Sequence, residues 1–138
     1  MPAYKIAALR HWNDAQHLEA EARLPNADQL YGIAAECALK SVMLGLNMPM
    51  HPNGTRPASP FAVHVNLLWP LFHSFANGPT GQAYVNLVPN ANPFQCWSVH
   101  DRYEDGNTFT AAVVQARKDG AKQTIDCLNL ARLNGVAK

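Results

Sequence analysis

The chain has 138 residues, of which 48% are hydrophobic, so it can form one domain with a full core, and global disorder is excluded. Eleven Lys and Arg against ten Asp and Glu give a net charge of +1, which excludes the large basic excess of a protein that coats nucleic acid. Only 15% of the residues are charged, whereas about 25% is typical of soluble domains, and we therefore expect a second copy of the chain to cover part of the surface.

The cysteine and histidine patterns argue against disulfides and metals. Cys37, Cys96 and Cys127 are far apart and form no CxxC pair, so a disulfide framework or structural zinc site is not expected. No two of the six histidines stand three or four residues apart, as a helical metal pair would require. With no signal-like or membrane-spanning run either, we expect a cytoplasmic protein that uses no metal or cofactor and contacts no membrane.

The chain opens with two predicted helices. Over residues 3–23, apolar residues recur at spacings of three and four, which is typical of an amphipathic helix. Residues 28–46 predict a second helix, with Asn26 or Asp28 as its N-cap. This second helix is apolar on nearly all sides, so we expect it to be central or to be covered by another subunit.

Prolines divide the rest of the chain, because eight of the ten lie between Pro49 and Pro93. The predicted elements are a loop over 47–62, a third helix over 62–77 with Pro70 inside it, a short helix near 81–87, a loop over 88–96, and a last helix from Asn107 or Thr108 to about 133. The fold class is therefore predicted to be all-α, an antiparallel four- to five-helix up-and-down bundle that forms a single domain over residues 1–138.

Between Tyr31 and Leu46 of the apolar second helix, the only charged residues are Glu36 and Lys40, at the favoured i,i+4 spacing. Because charge on an apolar helix has a desolvation cost, the pair either lies on a narrow exposed strip or lines an interface or pocket. The segment from His100 to Asp105 is also dense in charge. Its Arg102 could pair with a carboxylate of the second helix while Asp105 caps the last helix, or the segment could contact an anion or nucleotide.

These residues lead to one predicted site. Glu36 and Lys40 need polar neighbours, and we expect Arg102 and Tyr103 to approach them, with His64 contributed by the third helix. His100 belongs to the same candidate ligand-binding set. No catalytic residue can be named from the sequence.

The segment Tyr31–Lys40 (YGIAAECALK) resembles the second-helix signature of HEPN domains (higher eukaryotes and prokaryotes nucleotide-binding), in which a Glu is followed four residues later by a Lys. HVNLLWPL, which begins at His64, resembles the H..L..L pattern of their third helix, and Arg102–Tyr103 resembles their Arg-Tyr segment. The resemblance spans residues 5–133. It implies a helical bundle, a homodimer, nucleotide or RNA binding, and a nucleotidyltransferase protein partner in a toxin–antitoxin pair.

One departure from the family pattern affects the expected activity. Ribonuclease members carry an Arg, four to six residues, and then a His near the start of the last helix, but no histidine follows Arg102 in this chain. We therefore expect a non-catalytic module that binds a nucleotide, RNA or protein, in a toxin–antitoxin or stress-related role. The alternatives are a divergent, metal-independent endoribonuclease that uses Arg102 with His100 in reversed order, and a dimeric scaffold without a ligand.

Overall fold

A computed structural model describes residues 2–105 and 108–137. Within them the chain forms five α-helices and one 3₁₀ helix, which are α1 (Tyr4–Ala20), α2 (Leu24–Gly45), α3 (Val65–Phe75), α4 (Gln82–Val85), the 3₁₀ helix (Val99–Tyr103) and α5 (Ala111–Leu133). The described residues contain no strand and only one isolated bridge, between Met50 and Pro57. The predicted all-α class is confirmed. None of the described helices is long and apolar enough to span a bilayer.

Helix α2 is the centre of the helical bundle. Thirteen of its 22 residues are buried, and it contacts α1, α3, α5 and the 3₁₀ helix. Buried alanines on both α1 and α2, including Ala8, Ala15 and Ala35, leave room for the two backbones to approach closely. Of the two explanations for an all-round apolar helix, central placement is therefore the one found, and α2 needs no second subunit to cover it.

The start of α2 differs from the prediction. The helix begins at Leu24 with Pro25 in its first turn, where the missing proline N–H would have had no partner in any case. The N-cap position is Arg23, so the prediction of Asn26 or Asp28 as the cap is wrong. Asp28 lies inside the helix and is fully buried, and its carboxylate forms an ion pair with Arg117 of α5.

The proline-rich loop after α2 is irregular, as predicted, and it is folded back on itself. The backbone N–H of His51 donates to the carbonyl of Arg56 at 2.9 Å, and that of Ala58 donates to Pro49 at 2.9 Å. At the tip, Thr55 donates from its N–H and its hydroxyl to the Asn53 side chain. These bonds give Arg56 a defined place beside the start of α3.

Helix α3 continues through Pro70 without its regular hydrogen bond. The carbonyl of Asn66, which a residue with an N–H at position 70 would use, instead accepts a bond at 2.9 Å from the Asn92 side-chain amide. Trp69 Nε1 donates to the Pro89 carbonyl at 2.8 Å. The loop before the 3₁₀ helix is therefore fastened along α3.

The last helix begins later than predicted. Its N-cap is Thr110, whose hydroxyl accepts from the N–H of Val113 at 3.2 Å. Thr108 precedes the helix, and Asn107, the other predicted start, lies outside the described residues. The N-cap position is held by Thr110, five residues after Asp105, so the role of Asp105 as a capping charge stays a prediction.

Candidate functional site

Glu36 connects two of the predicted site residues. Its Oε2 accepts a hydrogen bond from Lys40 Nζ at 3.0 Å, and its Oε1 lies 3.0 Å from His64 Nδ1. The Glu36 and Lys40 side chains are only 14% and 9% exposed, whereas that of His64 is 54% exposed. One nearly buried carboxylate therefore holds a nearly buried ammonium group and an accessible imidazole.

A shallow cleft of about 300 Å³ lies beside this cluster. Its polar lining residues are Tyr4, Lys40, Arg56 and His64, and three apolar residues of the loop complete it. Four separate parts of the chain supply these side chains: the start of α1, the middle of α2, the proline-rich loop, and the residue that precedes α3. The fold thus brings together Glu36, Lys40 and His64, and it adds Tyr4 and Arg56, which the sequence did not single out.

The Tyr4 hydroxyl stays protonated in this setting. Burial raises its pKa, and the electrostatic effects of Cys37 and Glu36 raise it further. Tyr4 therefore offers a neutral O–H group to the cleft, which can donate a hydrogen bond to an anion.

The charge balance of the cleft favours an anion. Lys40 and His64 share the single carboxylate of Glu36, and Arg56 is exposed and forms no ion pair with any described residue. A guanidinium group presents a planar fork of donors that matches phosphate or carboxylate oxygens. The arrangement can therefore receive one phosphate group.

The predicted approach of Arg102 to this cluster is not among the contacts found. No described hydrogen bond or ion pair joins Arg102 to Glu36 or Lys40, and its guanidinium lies 4.9 Å from the ring centroid of the exposed Tyr103. The segment instead meets α2 near Gln29, whose side chain donates to the Ser98 carbonyl at 2.7 Å. Gln29 precedes Glu36 by seven residues, about 10 Å along the helix axis.

The 3₁₀ helix that carries these residues is built by a local motif. Ser98 accepts from the N–H of His100, and the Asp101 carboxylate accepts from the N–H of Ser98 at 3.0 Å, which completes a capping box. His100, Arg102 and Tyr103 are exposed on this short helix, and no described hydrogen bond joins the His100 ring to Arg102. The described contacts therefore do not assemble the reversed Arg–His pair considered for a ribonuclease.

A buried ion pair elsewhere was missed by the sequence analysis. Arg117 Nε donates to Asp28 Oδ1 at 3.0 Å, Arg117 also bonds the Pro93 carbonyl, and Trp97 Nε1 donates to the Asp28 carbonyl at 3.1 Å. Burial raises the pKa of Asp28, Arg117 opposes this rise, and Asp101 adds to it. A carboxylate of α2 does pair with a distant arginine, but that arginine is not Arg102.

A signal for Arg117 was present in the sequence. It follows Val113 by four residues and precedes Gly120 by three, so it stands within the apolar stripe of α5. An arginine at such a position needs a buried partner.

A larger groove of about 520 Å³ lies next to the shallow cleft, at the C-terminal end of α2, and shares Tyr4 with it. It is lined mainly by apolar and small residues from the start of α1, the end of α2 and Val136, and Lys5 is the charged residue among them. Because no set of polar side chains converges there, the groove is the weaker candidate despite its size.

Within residues 2–105 and 108–137, no three His, Cys, Asp or Glu side chains are grouped as metal ligands. The three cysteines are all free. Comparison with protein-family models, curated proteins and solved structures finds no match to this chain. The resemblance to HEPN domains therefore stays a prediction, and the cleft is the structural feature that points to a function.

Proposed function

We propose that this chain is a HEPN-like helical module that binds the phosphate group of a nucleotide or RNA in the cleft between α1, α2 and the proline-rich loop. The observation that carries the proposal is the convergence of Lys40, Arg56 and His64 on one cleft, beside which the carboxylate of Glu36 pairs with both Lys40 and His64. The HEPN-like sequence signatures support it, because Glu36, Lys40 and His64 are the residues that carry them.

The side chains of the cleft have different roles in this proposal. Lys40 is fixed by Glu36 and sets a positive potential at the floor, at little cost in side-chain entropy on binding. Arg56 supplies the bidentate contact from the rim, and Tyr4 supplies a neutral donor. Base and ribose would remain at the surface, since the cleft is shallow.

Calorimetric titration with nucleoside mono-, di- and triphosphates and with a short single-stranded RNA tests the proposal. Arg56→Ala is expected to weaken binding by about 10- to 100-fold, the loss of one charge-assisted contact of about 1.5–3 kcal/mol. Arg132→Ala removes the same charge from an exposed site on α5 and should leave binding unchanged. Equal effects of the two substitutions, or no binding of any of these ligands, would contradict the proposal.

We propose further that the helices are arranged as an antiparallel up-and-down bundle and that the chain forms a homodimer. The low charged fraction and the exposed side chains of Ile6 and Leu133 support self-association. Light scattering at micromolar concentration should give twice the 15.1 kDa of one chain.

A nucleotidyltransferase partner remains a proposal that rests on the HEPN resemblance, and mixing the two purified proteins on a sizing column would test it.

A further inference from the structure

We propose that Nε2 of His64 is a phosphoryl acceptor, so that the cleft carries a phosphohistidine site. The proposal rests on the proposed function in one respect only, namely that the cleft holds a phosphate group. It goes beyond binding, because it assigns a covalent modification to a particular atom.

The contact with Glu36 determines which ring nitrogen is nucleophilic. A carboxylate can only accept hydrogen bonds, so Nδ1 of His64, 3.0 Å from Glu36 Oε1, must carry the proton. In the neutral ring the lone pair then lies on Nε2. This nitrogen has no hydrogen-bond partner among the described residues, and 54% of the side chain is exposed. His64 therefore presents an oriented and accessible nucleophile.

The side chains around His64 also stabilise the phosphorylated product. A phosphoryl group on Nε2 adds negative charge to a cleft that Arg56 and Lys40 also line. The modified ring keeps its Nδ1 proton and becomes cationic, and the Glu36 carboxylate that accepts this proton stabilises that charge. Both charges created by the transfer therefore have a partner of opposite sign.

No described hydrogen bond or ion pair joins the ring of any of the other five histidines, His11 and His17 included, to a carboxylate. Nδ1 of His51 accepts from the N–H of Asn53 at 3.3 Å, so the neutral ring of His51 carries its proton on Nε2. Nε2 of His73 is 3.0 Å from the Pro89 carbonyl and must donate to it. His100 lies on the exposed 3₁₀ helix, where no described carboxylate contacts its ring.

The donor that the step needs is a compound with a labile phosphoryl group, and phosphoramidate is the probe. The Nε2 lone pair forms a bond to phosphorus while the P–N bond of phosphoramidate breaks. Phosphoramidate reacts in its N-protonated form, so neutral ammonia leaves with the electron pair of that bond, and no oxidant, reductant or metal is consumed. The Nδ1 proton stays between the ring and Glu36 throughout.

The test is incubation of the full chain with phosphoramidate, followed by intact-mass and fragment-mass spectrometry. We expect one phosphoryl group on His64, labile in acid and stable in alkali, which distinguishes it from a serine or threonine ester. His64→Gln should abolish the modification, and His51→Gln, the matched control of opposite tautomer, should leave it intact. Glu36→Gln should slow it by at least about tenfold, because an amide neither fixes the Nδ1–H tautomer nor stabilises the cationic ring, with circular dichroism confirming that this variant is folded.

Modification spread evenly over the six histidines, or unchanged in His64→Gln, would overturn the inference. So would a Glu36→Gln variant that is folded and modified at the native rate. The proposed binding function is tested on the unmodified chain by calorimetry, so the two can fail separately. Nucleotide binding without phosphorylation removes only this inference, and phosphorylation without nucleotide binding removes only the proposed function.

Discussion

The carboxylate of Asp28 in α2 accepts a hydrogen bond at 3.0 Å from Nε of Arg117, a residue 89 positions later in α5. Asp28 is fully buried, and the Arg117 side chain is only 12% exposed. Arg117 also bonds the Pro93 carbonyl, and the Trp97 indole bonds the Asp28 carbonyl. This ion pair therefore fastens three parts of the chain to one another: the start of α2, the middle of α5, and the loop before the 3₁₀ helix.

We expect Arg117→Ala to lower the free energy of unfolding by about 3–5 kcal/mol, because it leaves a buried carboxylate without its counter-ion. Urea unfolding followed by circular dichroism measures the change. Lys122→Ala is the control, since Lys122 also pairs with an aspartate but both side chains are about half exposed. That substitution should cost less than about 0.5 kcal/mol, and a similar loss in both variants would contradict the assigned role of the buried pair.

The same carboxyl group gives the stability a dependence on pH. Folding raises the pKa of Asp28 above its unfolded value of about 3.9, chiefly through burial. A group of this kind stabilises the fold below its unfolded pKa, and the contribution is lost as the pH rises through the folded pKa. Asp28→Asn cannot ionise, so its free energy of unfolding should rise relative to that of the native chain as the pH is raised from about 4 through the folded pKa of Asp28. Urea titrations across this range would refute the expectation if the difference were constant or moved the other way.

Gly32 makes room for Trp97. A Cβ at position 32 would overlap the indole ring, which is buried and held by its bond to the Asp28 carbonyl. Alanine in a helix is about 1 kcal/mol better than glycine, yet we expect Gly32→Ala to destabilise the fold by about 1–3 kcal/mol because the ring must move. Gly78→Ala, where a Cβ would meet nothing within 4 Å, should change the stability by less than about 0.5 kcal/mol. Thermal unfolding of the two variants tests this difference, and a neutral Gly32→Ala would exclude the close contact.

The three free thiols should react at very different rates. Burial raises the pKa of Cys37 to about 11 and that of Cys127 to about 12, while Cys96 is exposed. With a disulfide reagent at neutral pH, we expect one fast thiol that Cys96→Ser removes. The other two should react at least about 100-fold more slowly until denaturant is added, because their thiolate fraction is that much smaller. Two fast thiols in the native chain would contradict the burial of Cys37 or Cys127.

Local sequence patterns predicted the positions of the helices better than the tertiary contacts of their side chains. The all-α class and the irregular loop after α2 follow from periodicity and proline placement, which act within a few residues, whereas the apolar pattern of α2 left open whether it is central or covered by another subunit. The start of α2 was misplaced because Pro25 reads equally well as a helix breaker and as a first-turn residue. The start of α5 was misplaced because Thr108 and Thr110 are equivalent caps in the sequence.

Part of the candidate site was likewise predicted from local patterns, and part was not. Glu36, Lys40 and His64 were expected together, and they are in contact, since the desolvation of charge on an apolar helix demands polar neighbours. The need for polar neighbours does not identify which side chains, distant in sequence, will provide them. Arg56 reaches the cleft through the fold of the proline-rich loop, and Arg102 lies against Tyr103 instead. Such pairings depend on tertiary packing and leave no trace in residue spacing.

The missing N–H of Pro70 affects where the chain can change in length. Because the carbonyl of Asn66 receives its bond from Asn92, and Trp69 donates to Pro89, the segment between α3 and the 3₁₀ helix, which includes α4, is attached to α3 by two hydrogen bonds at Pro89 and Asn92. An insertion near residues 77–80, where the chain turns at the surface, should leave both hydrogen bonds intact. A deletion of one residue between Pro89 and Asn92 should break one of the two hydrogen bonds, because both could no longer form at the same time. Because Pro70 leaves the Asn66 carbonyl to Asn92, we expect engineered changes in length to be tolerated only in the part of this segment that directly follows α3.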